Sequence, residues 1–210
     1  MSHDRRLARW AGLLYLATFI TSFPALALKT AYLDGGPSWL GSAGAVLEIA
    51  LAATCIGTAL ALYPITRRHS ESLALGFVAS RTVEAVMILA GVLGLMATIT
   101  LRGAGASDAT AVALHDWAFL IGPAVMSAVN ALLLGSVLYR ARLVPRILPV
   151  VGLIGAPLLL ASSVGVLFGL WTQTSTVGAI AALPIAAWEL GLGLWLIVKG
   201  VRPAGAPERS

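Results

Sequence analysis

Six long apolar stretches alternate with short polar connections, at approximately Trp10–Leu28, Leu40–Tyr63, Leu73–Leu101, Ala113–Tyr139, Leu148–Leu170 and Val177–Val198. A helix needs about 20 predominantly apolar residues to cross about 30 Å of hydrocarbon at 1.5 Å per residue, and each stretch meets that length. The pattern predicts an all-α polytopic membrane protein, a bundle of six transmembrane helices. The third and fourth stretches exceed the requirement, which implies tilt or an interfacial extension. Small residues recur at helical spacing on one stripe of several spans: Gly41, Ala45, Ala52 and Ala59 in the second, Gly76, Ser80, Gly91 and Gly94 in the third, Ala182, Ala186 and Gly193 in the sixth. Such stripes let helix backbones approach closely in lipid.

Composition agrees with the pattern. Of 210 residues, 59% are hydrophobic and 11% charged, against about 25% charged in ordinary soluble domains. No charged linker or low-complexity tract interrupts the chain, so residues 1–210 read as a single membrane domain. The net charge of +5 gathers in small clusters between apolar runs instead of along one face, which argues against nucleic acid as a partner. The lone Cys55 excludes an intrachain disulfide and a cysteine metal cluster.

Those basic clusters set the topology. Arg5, Arg6 and Arg9 precede the first span, Arg67 and Arg68 join the second to the third, Arg140, Arg142 and Arg146 join the fourth to the fifth, and Lys199, Arg202 and Arg209 follow the sixth. The opposite connections hold Lys29 and Arg102 alone, and eleven against two places both termini in the cytoplasm of a multi-pass inner-membrane protein. Trp39, Trp117, Trp171 and Tyr32 then lie at outer ends and Trp10, Trp195, Tyr63 and Tyr139 at inner ends, as interfacial rings prefer. The basic start followed by Ala25-Leu26-Ala27 also fits a secretory signal, but its apolar stretch is longer than the usual 7–15 residues, so the first span is read as retained. Pro24, Pro123, Pro157 and Pro184 fall within spans, and "LIGPAV" with "AALPIAAWEL" suggests bends opening a cavity between the fourth and sixth. No matching motifs relate residues 10–101 to 113–200 as an inverted repeat.

Charged side chains inside a span cost roughly 2.5–3.5 kcal/mol each on insertion scales and usually pair. The candidates for a ligand or proton site are Arg81, Glu84, Glu189 and Glu48, with His115, Asp116 and Asn130 on the fourth span. Counted by rise per residue from the cytoplasmic ends, Arg81 lies roughly 12 Å deep, Glu84 and Glu189 about 15–17 Å, and Glu48 roughly 22 Å. A lower layer of Arg81, Glu84 and Glu189 therefore sits beneath Glu48, His115 and Asp116. On the fourth span Asp116, Phe119, Pro123, Ser127 and Asn130 share an ideal-helix stripe. The first and fifth spans carry no central charge and read as scaffold. Four ionised carboxylates would face one arginine and at most one imidazolium, an excess that calls for protonation, water or a bound cation. Against this, Arg81 can snorkel to the headgroups and Glu84 can serve helix packing alone.

Zinc-protease, nucleophile-elbow, phosphate-loop and C-x-x-C signatures are absent, so no enzyme class and no cofactor is expected. "YLDGGPSWLG" reads as an outer turn. The segments "ARWAGLLYLATFITSFPALAL", "ALALYPITRRHSESLALGFVASRTVEAVMILAGVLGL", "HDWAFLIGPAVMSAVNALLLGSVLYRARLVPRILPVVGLIGAPLLL" and "LPIAAWELGLGLWLIVKG" resemble the bacterial integral-membrane family catalogued as domain of unknown function 4386. The resemblance runs from about Arg9 to Gly200 and implies a small multi-helix protein of the cytoplasmic membrane, with Arg81, Glu84, His115, Asp116, Asn130, Pro145 and Glu189 at family-like positions. It implies no activity, and "TQTSTVGAIAA" departs from it. Two readings follow: a buried charged site that binds or transports a proton, cation or small molecule, or a non-catalytic module whose charges specify packing or association. The partners expected are the lipid bilayer and a second copy or another membrane protein.

Overall fold

A computed structural model describes residues 3–202; Arg209, counted above among the cytoplasmic cations, lies outside the described residues. Six helices are long and apolar enough to cross a membrane: α1 (His3–Leu33), α2 (Ser38–Thr66), α3 (Glu71–Gly103), α4 (Ala109–Arg140), α5 (Ile147–Leu167) and α6 (Thr176–Val198). Helix is the natural form for these runs, because hydrocarbon offers no partner for backbone amides and carbonyls. Hydroxyls inside the spans bond to their own helix for the same reason: Thr18, Thr58 and Thr98 each donate to the carbonyl three residues back at 2.6–2.7 Å. Large apolar side chains such as Ile20, Val46, Leu93, Ile154 and Leu183 point outward and are more than half exposed, a surface suited to lipid and not to water. The chain is a multi-pass membrane protein.

Each helix packs against its neighbours in sequence, and α6 returns to α1. The C-terminal half of α4 also packs on α3 and α5, which makes α4 the most enclosed helix: 56% of its most apolar window is buried, against 28% for α1 and α6. Glycines set the close approaches. A Cβ at Gly12 would lie 2.6 Å from the Gly193 carbonyl oxygen, and one at Gly152 would lie 2.8 Å from the Trp188 ring. The first fixes α1 on α6, and the second seats the buried Trp188 of α6 on α5.

The helices mostly outrun the apolar stretches that announce them, since polar interfacial residues continue the same hydrogen-bond ladder. α5 is the exception. It stops at Leu167 rather than Leu170, because Gly169 adopts φ +70° and the Leu170 amide turns back to the Gly165 carbonyl at 2.9 Å.

In α4, residues Leu120–Met126 are π-helical around Pro123. Proline supplies no amide to the Phe119 carbonyl four residues back, and the Gln173 side chain from the α5–α6 connection donates to that oxygen at 3.2 Å. A π-bulge inserts one residue and turns everything beyond it by about 100°. Pro184, by contrast, lies in regular α-helix and fills the space above Gly155.

Candidate functional site

Arg81 is 1% exposed and does not reach for the headgroups. Its Nη1 donates to Glu84 Oε2 at 2.7 Å and approaches Cys55 Sγ at 3.8 Å, while Nη2 donates to Glu189 Oε1 at 2.9 Å. The guanidinium thus ties α3 to α6, over the Tyr15 ring of α1 at 5.2 Å. Arg81 Nε is buried without a partner.

The two carboxylates are held very differently. Glu84 accepts from Arg81, from Ser127 Oγ at 2.8 Å and from Asn130 Nδ2 at 2.7 Å, so α3 and α4 are joined by a saturated node. Gly122 makes that node possible, because a Cβ there would lie 2.9 Å from Met87 Cβ and 3.3 Å from the Glu84 carbonyl oxygen. Glu189 has one hydrogen-bond donor among the described residues, Arg81, and its side chain keeps 14% of its exposure. It faces a cavity of about 200 Å³ also lined by Thr18, Ser22, Leu51, Pro123 and Ala182.

The upper layer differs from the sequence expectation in three respects. Lys29 lies inside α1 and not in an outer connection, and its Nζ donates to Glu48 Oε1 at 2.6 Å with both side chains nearly fully buried. The same ammonium sits 3.8 Å from the centre of the Phe119 ring, a favourable contact with the aromatic face. Glu48 is therefore half of a closed ion pair, and α1 is no neutral scaffold. Secondly, His115 and Asp116 part company. His115 is buried, with Nδ1 2.8 Å from the Gly91 carbonyl oxygen, whereas Asp116 is exposed on the wall of a separate cavity with Trp117 and Trp171. Finally, the ideal stripe through Asp116 and Ser127 is broken. Eleven residues of α-helix would leave them about 20° apart, and the π insertion carries them to about 80°, while bringing His115 and Ser127 onto one α3-facing side.

Lys29 is the functional residue that sequence reasoning missed. The available signal was depth: Glu48 stands in the outer part of the second span, at the level where an antiparallel first span ends.

With this geometry in hand, the comparisons give one positive result. The family model described as Domain of unknown function (DUF4386) matches residues 10–200. The chain belongs to that family. No curated protein and no solved structure matches it. For this DUF4386 member the charge count within the bundle is Lys29 and Arg81 against Glu48, Glu84 and Glu189, one negative charge in excess when all five are ionised. Arg81, Glu84 and Glu189 all line the same cavity, and of its two carboxylates Glu189 is the one with a single donor among the described residues. Among the described residues no three His, Cys, Asp or Glu side chains converge to hold a metal ion.

Proposed function

We propose that this protein is a single-domain resident of the inner membrane, with both termini cytoplasmic, whose Glu189 takes up and releases one proton or one monovalent cation against a fixed Arg81–Glu84 pair. The unequal coordination of the two carboxylates carries this reading. Glu84 also lines the cavity but holds three donors and is pinned to α4 as well as to Arg81, so it serves as a fixed counter-ion and helix link. Glu189 has one donor among the described residues and faces the cavity, so a change in its charge alters a single hydrogen bond, the one from Arg81. The groups facing Glu189 are Arg81 and Glu84 from α3, Tyr15 from α1 and Cys55 from α2. From α4, Ser127 reaches the cavity as a neutral hydroxyl, and α5 offers only Leu159.

The packing reading keeps one observation of its own, the Glu84 node, and the two readings separate by residue. Infrared difference spectra of the protein in lipid, recorded across a pH titration, test the assignment. A protonated-carboxyl band is expected in the wild type and in Glu48→Gln, and absent in Glu189→Gln. The same band persisting in Glu189→Gln, or no band in the wild type, overturns it.

A further inference from the structure

The shape of the route to Glu189 narrows what can enter. α1 and α6 touch at Gly12 and Gly193, near the N-terminal end of one and the C-terminal end of the other. Farther along, Phe19, Ser22 and Phe23 of α1 stand across a gap from Ala182 and Ala186 of α6, the two walls of the cavity that ends on Glu189. A second cavity of about 320 Å³ shares Pro123, Leu159 and Ala182 with the first and extends to Gln173 and Thr174. A third, of about 580 Å³, shares Phe119, Leu120, Val166, Gln173 and Thr174 with the second and reaches Asp116 and Trp171. The three adjoin as a track of cavities along α4, α5 and α6, whose charged lining residues are Arg81, Glu84 and Glu189 in the first and Asp116 in the third.

We infer that this track binds an amphipathic monovalent amine, with its ammonium on Glu189 and its alkyl chain along the α4–α5–α6 track. This rests on the reading of Glu189 as the exchangeable carboxylate. Three features favour such a ligand over the alternatives. The bundle lacks one positive charge, which disfavours a fatty acid or other anion. An inorganic cation stripped of water requires a shell of several oxygens, and besides the two carboxylates, of which Glu84 already holds three donors, the inner cavity offers only the hydroxyls of Thr18, Ser22 and Ser127. An alkylammonium needs far fewer. The walls beyond Glu189 are mostly apolar; of their polar residues Ser163 is bonded to its own helix at Leu159 and Gln173 to the Phe119 carbonyl, leaving Ser162 and Thr174. Lipid solvates an alkyl chain as well as these walls do, so the walls admit the chain and the Glu189 pairing confers affinity. The unpartnered Arg81 Nε, fully buried beside Glu189, offers a donor to an oxygen next to the amine.

Binding exchanges like for like. The ammonium displaces the proton held by Glu189, and one proton leaves for each amine bound.

Radiolabelled dodecylamine is titrated into nanodiscs carrying the full chain, with empty nanodiscs as the blank. Saturable binding at one site is expected, at least tenfold weaker in Glu189→Gln and in Ala182→Phe, which fills the track without touching a charge. Excess sodium chloride and dodecanoate should not displace it. Equal binding by Glu189→Gln, undiminished binding by Ala182→Phe, or displacement by sodium or dodecanoate overturns the inference. The infrared titration is repeated on Ala182→Phe. If the Glu189 band is present but no protein binds dodecylamine, the ligand class is wrong and the exchangeable carboxylate stands. If the band is absent from the wild type, both fall.

Discussion

Lys29 and Glu48 form an ion pair that lies almost wholly out of contact with solvent, and it allows a sharp test. In Lys29→Met the ammonium disappears while the apolar stem is kept, leaving the Glu48 carboxylate without its salt-bridge partner among the described residues and Phe119 without the charge over its ring. Glu48 Oε2 already has no partner, so no neighbour stands ready to compensate. Removing one member of a buried pair typically costs about 3–5 kcal/mol, whereas replacing both by apolar residues of similar size is often neutral or stabilising. A loss of about 3 kcal/mol corresponds to a fall of about 6–12 °C in melting temperature for a chain of this size. Cys55 supplies the readout: it is the single cysteine and is 1% exposed, so a thiol-reactive fluorophore reports unfolding directly. The expected series in detergent is a large drop for Lys29→Met, a comparable drop for Glu48→Met and a return to within about 3 °C of wild type for the double variant. Two single losses that simply add, within about 0.5 kcal/mol, would show that the pair is not energetically coupled and refute the reasoning.

Three further outcomes follow from the packing. Gly12→Val should abolish the close crossing of α1 on α6, since its Cβ would meet the Gly193 carbonyl oxygen at 2.6 Å; a melting temperature within 2 °C of wild type contradicts this. Asn130→Ala removes one donor from buried Glu84 and should cost about 1–3 kcal/mol, seen as a fall of several degrees in the same thiol assay. Arg102 caps the end of α1 through the Tyr32 and Leu33 carbonyl oxygens, at 2.9 and 3.2 Å, besides pairing with Asp108. Arg102→Met should therefore destabilise by about 1 kcal/mol, while Arg68→Met, whose Asp4 partner is solvent-exposed, leaves the melt unchanged.

The six spans were legible because a bilayer imposes length and polarity on any segment that crosses it. The lower charged layer was legible for the same reason: Arg81, Glu84 and Glu189 have few alternatives to one another at that depth. Lys29 was not, because a lysine closing an apolar run looks identical whether it enters water or a buried pair; only its partner, nineteen residues on, distinguishes the two. The inequality of Glu84 and Glu189 was also hidden. It depends on Ser127 and Asn130 arriving together at Glu84, and their direction is set by a π-bulge that a fixed 100° stripe does not contain. "LIGPAV" held the clue, a proline after a glycine in mid-span, but its consequence was a change of register more than a bend.

The two charged layers also explain why the track exists. Near its N-terminal end α1 is held to α6 by the Gly12–Gly193 crossing, and near its C-terminal end it is held to α2 by Lys29–Glu48 and to α3 by Arg102 on the Tyr32 and Leu33 carbonyls. A helix fixed to one neighbour at one end and to others at the far end is free to part from the first between them, where Phe19, Ser22 and Phe23 of α1 and Ala182 and Ala186 of α6 line the cavity. The Lys29–Glu48 pair therefore helps fix the position of α1, which lines the cavity at Glu189. Releasing the pair in the Lys29→Met/Glu48→Met double variant, which keeps the fold stable, should let α1 swing about Gly12 toward α6 and narrow the cavity. Dodecylamine affinity should fall several-fold in that variant while the Glu189 carboxyl band stays in place. Wild-type affinity in the double variant would show that the gap is maintained by the α4–α5–α6 packing alone.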